Sequence, residues 1–353
     1  MKYPALLSFE ELLPQLDRFD AIIDVRSPAE FAEDHLPGAI NCPVLSNEER
    51  IKIGTLYKQV NAFEAKKLGA ALVARNIAQH IETQFLAHGR DWQPLVYCWR
   101  GGNRSGAMAH ILARIGWPVT QLDGGYKEYR RHILTALTTL PTRFSYRVIC
   151  GTTGSGKSRL LQTLAEKDAQ VLDLERLAAH RGSILGHLPS MSQPSQKAFE
   201  SSLWLALRGF DPDRPVFIES ESKKVGDLRV PEALIQTMRT SPCVSLLLSL
   251  PDRVKLLMQD YGHFVADPHL LNAQLGCLNS LHGREKIERW QALALAGKME
   301  QLVEELLREH YDPAYTRSME RNFTSISKAH CVALDGITAA DFQRATQALQ
   351  IRQ

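Results

Sequence analysis

The segment Gly151-Thr152-Thr153-Gly154-Ser155-Gly156-Lys157-Ser158 constrains this chain more than any other, because it carries the phosphate-binding pattern GxxxxGK[ST] between suitable neighbours. The apolar run Phe144 to Cys150 leads into it and predicts a strand. Lys157 to Glu166 follows and predicts a helix, with Leu160, Leu161 and Leu164 on one face. In that context the loop N–H groups cradle phosphate oxygens, Lys157 neutralises phosphate charge, and the Ser158 hydroxyl reaches a candidate Mg²⁺. A second predicted strand, Pro215 to Ile218, ends at Glu219-Ser220-Glu221-Ser222. Glu219 and Glu221 are therefore candidate acids at the metal or phosphate site, against the reading of both as solvated loop carboxylates, and no metal ligand set is assigned. Cys150, just before the loop, reads as a buried strand residue.

A second loop precedes the first by roughly fifty residues. Pro94 to Tyr97 predicts a buried strand and Ser105 to Leu112 a helix, so Cys98-Trp99-Arg100-Gly101-Gly102-Asn103-Arg104-Ser105 spans a strand-to-helix turn. Turn N–H groups, the helix dipole and the guanidinium groups of Arg100 and Arg104 favour a thiolate at Cys98, which is the nucleophilic form. Gly101 and Gly102 let the backbone curl around an anion, since positive φ costs glycine little. Nucleophile and anion nest thus coincide.

A chain of 353 residues exceeds a typical single core, and two domains or more are expected. The boundary is expected at Thr138-Thr139-Leu140-Pro141-Thr142, which interrupts the pattern between the helix Lys127 to Leu137 and the next strand. The limits predicted are 1–138, 139–275 and a mainly helical region 276–353 packed on the second domain. A formal net charge of +3 neither demands nor excludes a nucleic-acid partner. The six Cys lack CxxC pairs and metal-type spacing, which argues for a reducing compartment. No signal core or membrane-length apolar run is present, so a cytoplasmic protein without a membrane partner is expected. Met299, Leu302, Val303, Leu306 and Leu307 recur at helical spacing in a segment from about Arg284 to His310. Arg284, Lys286 and Arg289 beside Trp290 form a candidate basic face, read chiefly as a solvated one. His180-Arg181-Gly182-Ser183 and Lys223-Lys224 are further candidate phosphate or RNA contacts.

Ala21 to Phe31, His35 to Asn41, Cys98 and Leu122-Asp123-Gly124-Gly125-Tyr126 together resemble the rhodanese family of sulfurtransferases. One departure is the spacing Cys98-x5-Arg104-Ser105, where many single-domain rhodaneses have one residue fewer. The longer loop resembles those of Cys-dependent phosphatases and arsenate reductases, so an oxyanion enzyme stays open, as does an inactive rhodanese module controlling a nucleotide switch. Along its whole length the chain resembles the tRNA 2-selenouridine synthases. The likeness is carried by Gly54 to Gln59, Lys67 to Leu72, Cys98 to Gly102, Gly151 to Ser158, His180 to Ser183, Gln193 to Lys197, Glu219 to Ser222 and Tyr311-Asp312-Pro313.

That resemblance implies an α/β protein: a rhodanese-like domain, then a P-loop NTPase-like domain with a helical C-terminal extension. It implies replacement of sulfur by selenium at C2 of the wobble 2-thiouridine in the tRNAs for Lys, Glu and Gln, with selenophosphate as donor. An S-geranyl intermediate made from geranyl diphosphate is implied too. Cys98 would hold selenium as an S-selanylcysteine, with phosphate released into the Arg100/Arg104 nest. A selenophosphate-producing enzyme is a candidate partner. The phosphate loop is expected to hold the diphosphate of the geranyl donor rather than a nucleotide, though the cradle reads phosphate and not what is attached to it.

Overall fold

The computed structural model describes residues 3–183, 185–187 and 191–350. The chain divides into two compact units, 1–136 with 200–202, and 137–199 with 203–353.

The first unit is built on a five-stranded sheet in the order β1-β5-β4-β2-β3. Its strands are β1 (Ala5–Leu7), β2 (Ala21–Asp24), β3 (Ala39–Asn41), β4 (Pro94–Tyr97) and β5 (Thr120–Leu122), and every pairing is parallel. Parallel strands need crossovers, which is why each is followed by helix. β4 is central and buried throughout, as its unbroken apolar run foretold. In the helix Asn103–Ile115, Ser105, Met108, Ala109, Leu112 and Ala113 are buried. Their spacing puts one face on the sheet, in a core shared with Ile23, Val25, Val96 and Trp117. Two of the separated motifs meet here. Arg26 pairs with Asp24 at 2.6 Å, both fully buried, and its guanidinium carbon lies 4.0 Å from the centre of the Tyr126 ring.

The second unit has its own five-stranded parallel sheet, ordered β12-β11-β6-β8-β7. The strands are β6 (Tyr146–Cys150), β7 (Gln170–Leu172), β8 (Val216–Glu219), β11 (Cys243–Leu247) and β12 (His330–Ala333), with a small hairpin of β9 (Lys224–Val225) and β10 (Leu228–Arg229) apart from it. The helix Lys157–Glu166 buries Leu160, Leu161 and Leu164 as expected.

The C-terminal region departs from the sequence expectation in two respects. β12 pairs with β11, so this region closes the edge of the phosphate-loop sheet instead of only packing on it. Its signal was faint because Val332 alone of the four residues is buried. The limit expected at 275/276 falls inside a helical cluster in which Leu275, Leu278, Ile287, Trp290, Leu302 and Leu306 share one core. The segment Arg284 to His310, read as having helical spacing, is helical in separate pieces. Arg284–Leu295 and Met299–Leu306 are separate, broken at Gly297, whose φ of +70° ends the first. No helix among the described residues is long and apolar enough to cross a membrane.

Candidate functional site

Cys98 stands at the C-terminal end of central β4, where an open α/β sheet presents its loops to ligands. Gly101 and Gly102 take φ of +65° and +69°, and Gly102 caps the helix Asn103–Ile115. The turn foreseen for those glycines is present. Cys98 itself is 2% exposed. Ser105 Oγ donates to its sulfur at 3.3 Å, and the sulfur lies 3.8 Å from the Arg100 carbonyl oxygen. Ser105 is a residue that sequence reasoning had not assigned to the site; only its place in the first turn of the helix behind the thiol could have flagged it.

The two arginines of the loop differ. Arg100 is exposed and has no ion pair among the described residues, so it is free to meet an anion. Arg104 was expected to share that task, but its guanidinium is engaged by Glu30 of the helix Pro28–Glu33, at 2.8 and 3.2 Å. Burial raises the Glu30 pKa, yet hydrogen bonds and charge from Arg104, with the Ser27 N–H and Arg50, outweigh it and bring it down to about 2. Arg104 thus ties the loop's helix to its neighbour.

The phosphate loop sits between β6 and the helix Lys157–Glu166. Its arrangement is held from outside by residues the motif does not contain. The Gly151 N–H donates to Tyr315 Oη at 2.5 Å, and Arg253 Nε donates to the Thr153 carbonyl at 2.9 Å. Arg253 is buried and anchored by Asp312 at 2.6 and 3.0 Å. Gly156, with φ +88°, lies so close to Phe342 that a Cβ there would be 2.7 Å from the ring. Asp312, Tyr315 and Phe342 come from the C-terminal region, and of these only Asp312 had a sequence signal, the Tyr311-Asp312-Pro313 segment.

Lys157 Nζ reaches the Gly151 carbonyl at 2.7 Å, and Ser158 Oγ donates to Glu175 Oε2 at 2.9 Å. Glu219, at the end of β8, accepts the Glu175 N–H at 2.7 Å on Oε1, while its buried Oε2 has no partner. Both candidate acids do lie at this site, joined by Asp173 and Glu175, which sequence reasoning missed. Burial, then the charges of Asp173, Glu175 and Glu221, hold the Glu219 pKa well above the carboxylate range. Burial and the charge of Glu175 push Glu221 up to about 8, against the pull of Lys157. Burial raises Asp173 and Glu175 also.

This cluster of buried carboxyl groups, held back from ionising by burial and by one another, suits a divalent cation beside a phosphate loop. Among the described residues no group of three or more His, Cys, Asp or Glu side chains is arranged to hold a metal alone. A Mg²⁺ here would be completed by phosphate oxygens and water, as that ion prefers. Lys157, Ser158, Asp173, Glu175 and Glu221 line an open cleft of about 1310 Å³ that also takes in Arg181 and Gly182, while Glu219 is buried outside its lining. Arg181 donates to the Asp260 carbonyl at 2.5 Å and lies 4.5 Å over the Tyr261 ring.

Other candidates are accounted for by packing. Cys150 is buried and raised, first by its hydrogen bond with Cys243 and then by burial, as expected of a strand residue. Cys42 is pushed up to about 12 by burial and by Asp24. Lys223 pairs with Glu232 at 3.3 Å. The basic face is neutralised: Arg284 pairs with Glu288, Lys286 with Glu309, and Arg289 with Glu305 and Glu309, while Trp290 is fully buried.

Two family models match the chain. A rhodanese-like domain covers residues 8–132, and a tRNA 2-selenouridine synthase AAA domain covers residues 144–279. The chain is 36% identical over 247 residues to a protein of Nitrosomonas europaea named tRNA 2-selenouridine synthase, covering 68% of this chain and 63% of that one, less than two thirds of its length. A protein of the same name from Alcanivorax borkumensis is 31% identical over 337 residues, covering 86% of this chain and 91% of that one. One from Cupriavidus necator is 33% identical over 334 residues, with 85% and 89% covered.

Proposed function

The chain belongs to the tRNA 2-selenouridine synthase family, and from that premise we propose that it replaces sulfur by selenium at C2 of the wobble 2-thiouridine in the tRNAs for Lys, Glu and Gln. The observation that carries the reading is the pairing of a thiol loop and a complete phosphate loop on one chain. The first suits handling of selenium from selenophosphate, the second departure of a diphosphate. The reaction is proposed for the cytoplasm, with a selenophosphate-producing enzyme as supplier.

In the first step the thiouridine sulfur attacks C1 of geranyl diphosphate. A C–S bond forms, the C–O bond breaks, and diphosphate leaves with the electron pair. Lys157 and the loop N–H groups take up the charge that develops on the leaving oxygens. Ser158 and Glu175 are the residues that would hold Mg²⁺, which when bound would neutralise further diphosphate charge. Alkylation matters because it turns a poor leaving group into a thiol. A selenium nucleophile can then add at C2, and geranylthiol departs.

Cys98 is proposed to act on the selenium donor, with Ser105 Oγ as donor to its sulfur and Arg100 as the free cation for phosphate; it carries selenium as a selenosulfide where a disulfide co-reactant takes up the two electrons and leaves as two thiols. Electron balance sets a condition on this step. Selenium in selenophosphate is at the selenide level, so making an S–Se bond while releasing phosphate requires a two-electron acceptor. A redox-neutral course has the selenium of selenophosphate add at C2 directly, followed by hydrolysis of the Se–P bond.

Nucleoside mass spectrometry of 2-thiouridine tRNA incubated with geranyl diphosphate and selenophosphate tests the scheme. Wild type is expected to give 2-selenouridine, Cys98→Ser to stop at the geranylated nucleoside, and Lys157→Ala to leave the thiouridine unmodified. Full selenation by Cys98→Ser would remove the carrier role and leave direct addition. An unchanged nucleoside with wild type would overturn the assignment and bring forward release of phosphate from aryl phosphates as the next assay.

A further inference from the structure

Beside the phosphate loop, within the same unit, lies an apolar cavity of about 60 Å³. By that measure one water needs only about 10–15 Å³, so this is more than a packing defect. Its interior is formed by Leu257, Met258, Phe264, Met299, Leu302 and Leu306, and no charged side chain lines it. The lining residues that carry a polar side-chain group are Thr153, Ser183, Tyr261 and Tyr311. Those same four residues, with Leu257, also line the large cleft that contains Lys157 and Ser158. These residues therefore form a seam, with a phosphate cradle on one side and hydrocarbon on the other.

The two halves are mechanically joined. Gly154 of the phosphate loop has φ +77°, and a Cβ there would lie 2.9 Å from Leu257 Cδ1 and Cγ. Leu257 is thus both the support of the loop and a wall of the cavity. A nucleotide base entering this space would bring ring donors and acceptors to a wall that offers carbon and thioether sulfur beyond the seam, and burying them unpaired is costly. A branched hydrocarbon has no such groups to satisfy.

We infer that this cavity holds the hydrocarbon tail of a prenyl diphosphate whose head lies in the phosphate loop, with the seam of Thr153, Ser183, Tyr261 and Tyr311 fixing where the tail joins the head. The inference rests on the reading that the loop binds an organic diphosphate. It adds the location of the tail and the residues that set its length. In an allylic diphosphate C1 is bonded to the leaving oxygen, so the reacting carbon lies at the seam, open to the cleft from which a nucleophile approaches. The remaining carbons point into the helical cluster. Met299, Leu302 and Leu306, on one face of a single short helix, then act as the gauge of chain length.

Calorimetric binding to the full-length protein with Mg²⁺ tests this, using inorganic diphosphate, geranyl diphosphate, farnesyl diphosphate and ADP as probes. Val303→Trp introduces bulk from a half-buried position that lines the cavity. It is expected to weaken geranyl diphosphate at least tenfold and to leave inorganic diphosphate within twofold, the latter also reporting a folded loop. Leu306→Ala enlarges the space and is expected to shift preference at least fivefold toward farnesyl diphosphate. Should Val303→Trp lose inorganic diphosphate as well, Leu306→Ala decides alone. Geranyl diphosphate bound equally well by wild type and both variants would put the tail elsewhere while leaving the loop's role intact. A wild type that binds ADP but neither diphosphate probe would overturn the loop reading itself, and this inference with it.

Discussion

The Arg104 guanidinium grips the Glu30 carboxylate through both terminal nitrogens, at 2.8 and 3.2 Å, so the two positive charges of the thiol loop do different work. One is spent on architecture; Arg100 remains for an anion. Arg104→Ala is accordingly expected to destabilise the first unit by about 1–3 kcal/mol, less than the about 3–5 kcal/mol of a fully buried pair because both side chains keep some exposure. Arg100→Ala is expected to leave the melting temperature unchanged and to lower selenation about 10²-fold through a weaker hold on the phosphate-bearing donor. Thermal unfolding and initial rates on the two variants check the division; equal loss of stability in both would refute it.

The same pair predicts a pH response. Glu30 has a folded pKa of about 2 against an ordinary 4.5. A depressed carboxylate stabilises the fold fully above its unfolded pKa, and that contribution fades as pH falls from about 4.5 toward 2. Wild type should therefore lose more melting temperature between pH 6 and pH 2.5 than Glu30→Gln, which starts lower but follows a shallower slope. Parallel slopes would show the pair to be energetically idle.

Phe342 connects the C-terminal helix Ala339–Gln350 to the phosphate loop through its contact with Gly156. It is 3% exposed and shares a core with Leu160, Leu164 and Val332. Phe342→Ala should cost about 3–5 kcal/mol, the usual range for emptying an aromatic core position. Because the void opens against the loop, affinity for inorganic diphosphate should fall together with the melting temperature, whereas Leu349→Ala, farther along the same helix, should lower stability alone.

Arg284, Lys286 and Arg289 already face carboxylates, so their charge is cancelled before any nucleic acid arrives. Arg284→Ala is expected to alter stability by no more than about 0.5 kcal/mol. Its tRNA affinity and the salt dependence of binding should match wild type, since a true phosphate contact would reduce the slope of log K against log salt by about one. A slope reduced by that amount in filter binding would place this helix on the RNA.

Both loops and the elements around them were legible in the sequence because each is a local device. A buried parallel strand reads as an unbroken apolar run, an amphipathic helix as spacing of three and four, and an anion nest as closely placed glycines, so Cys98, Lys157 and the helix Lys157–Glu166 could be placed without any long-range information. The sequence alone thus determined the α/β class and where in the fold the two loops lie. What it could not contain was the identity of partners distant along the chain. Glu30 reaching Arg104, Tyr315 and Arg253 pinning the phosphate loop, Glu175 under Ser158, and β12 closing the second sheet are all contacts between segments whose local patterns are silent about each other. Only the tertiary structure decided them, because charge pairing, burial of an orphaned carboxylate and an apolar cavity are properties of neighbours in space, and the same short strand or lone tyrosine reads identically whether or not a partner is there to meet it.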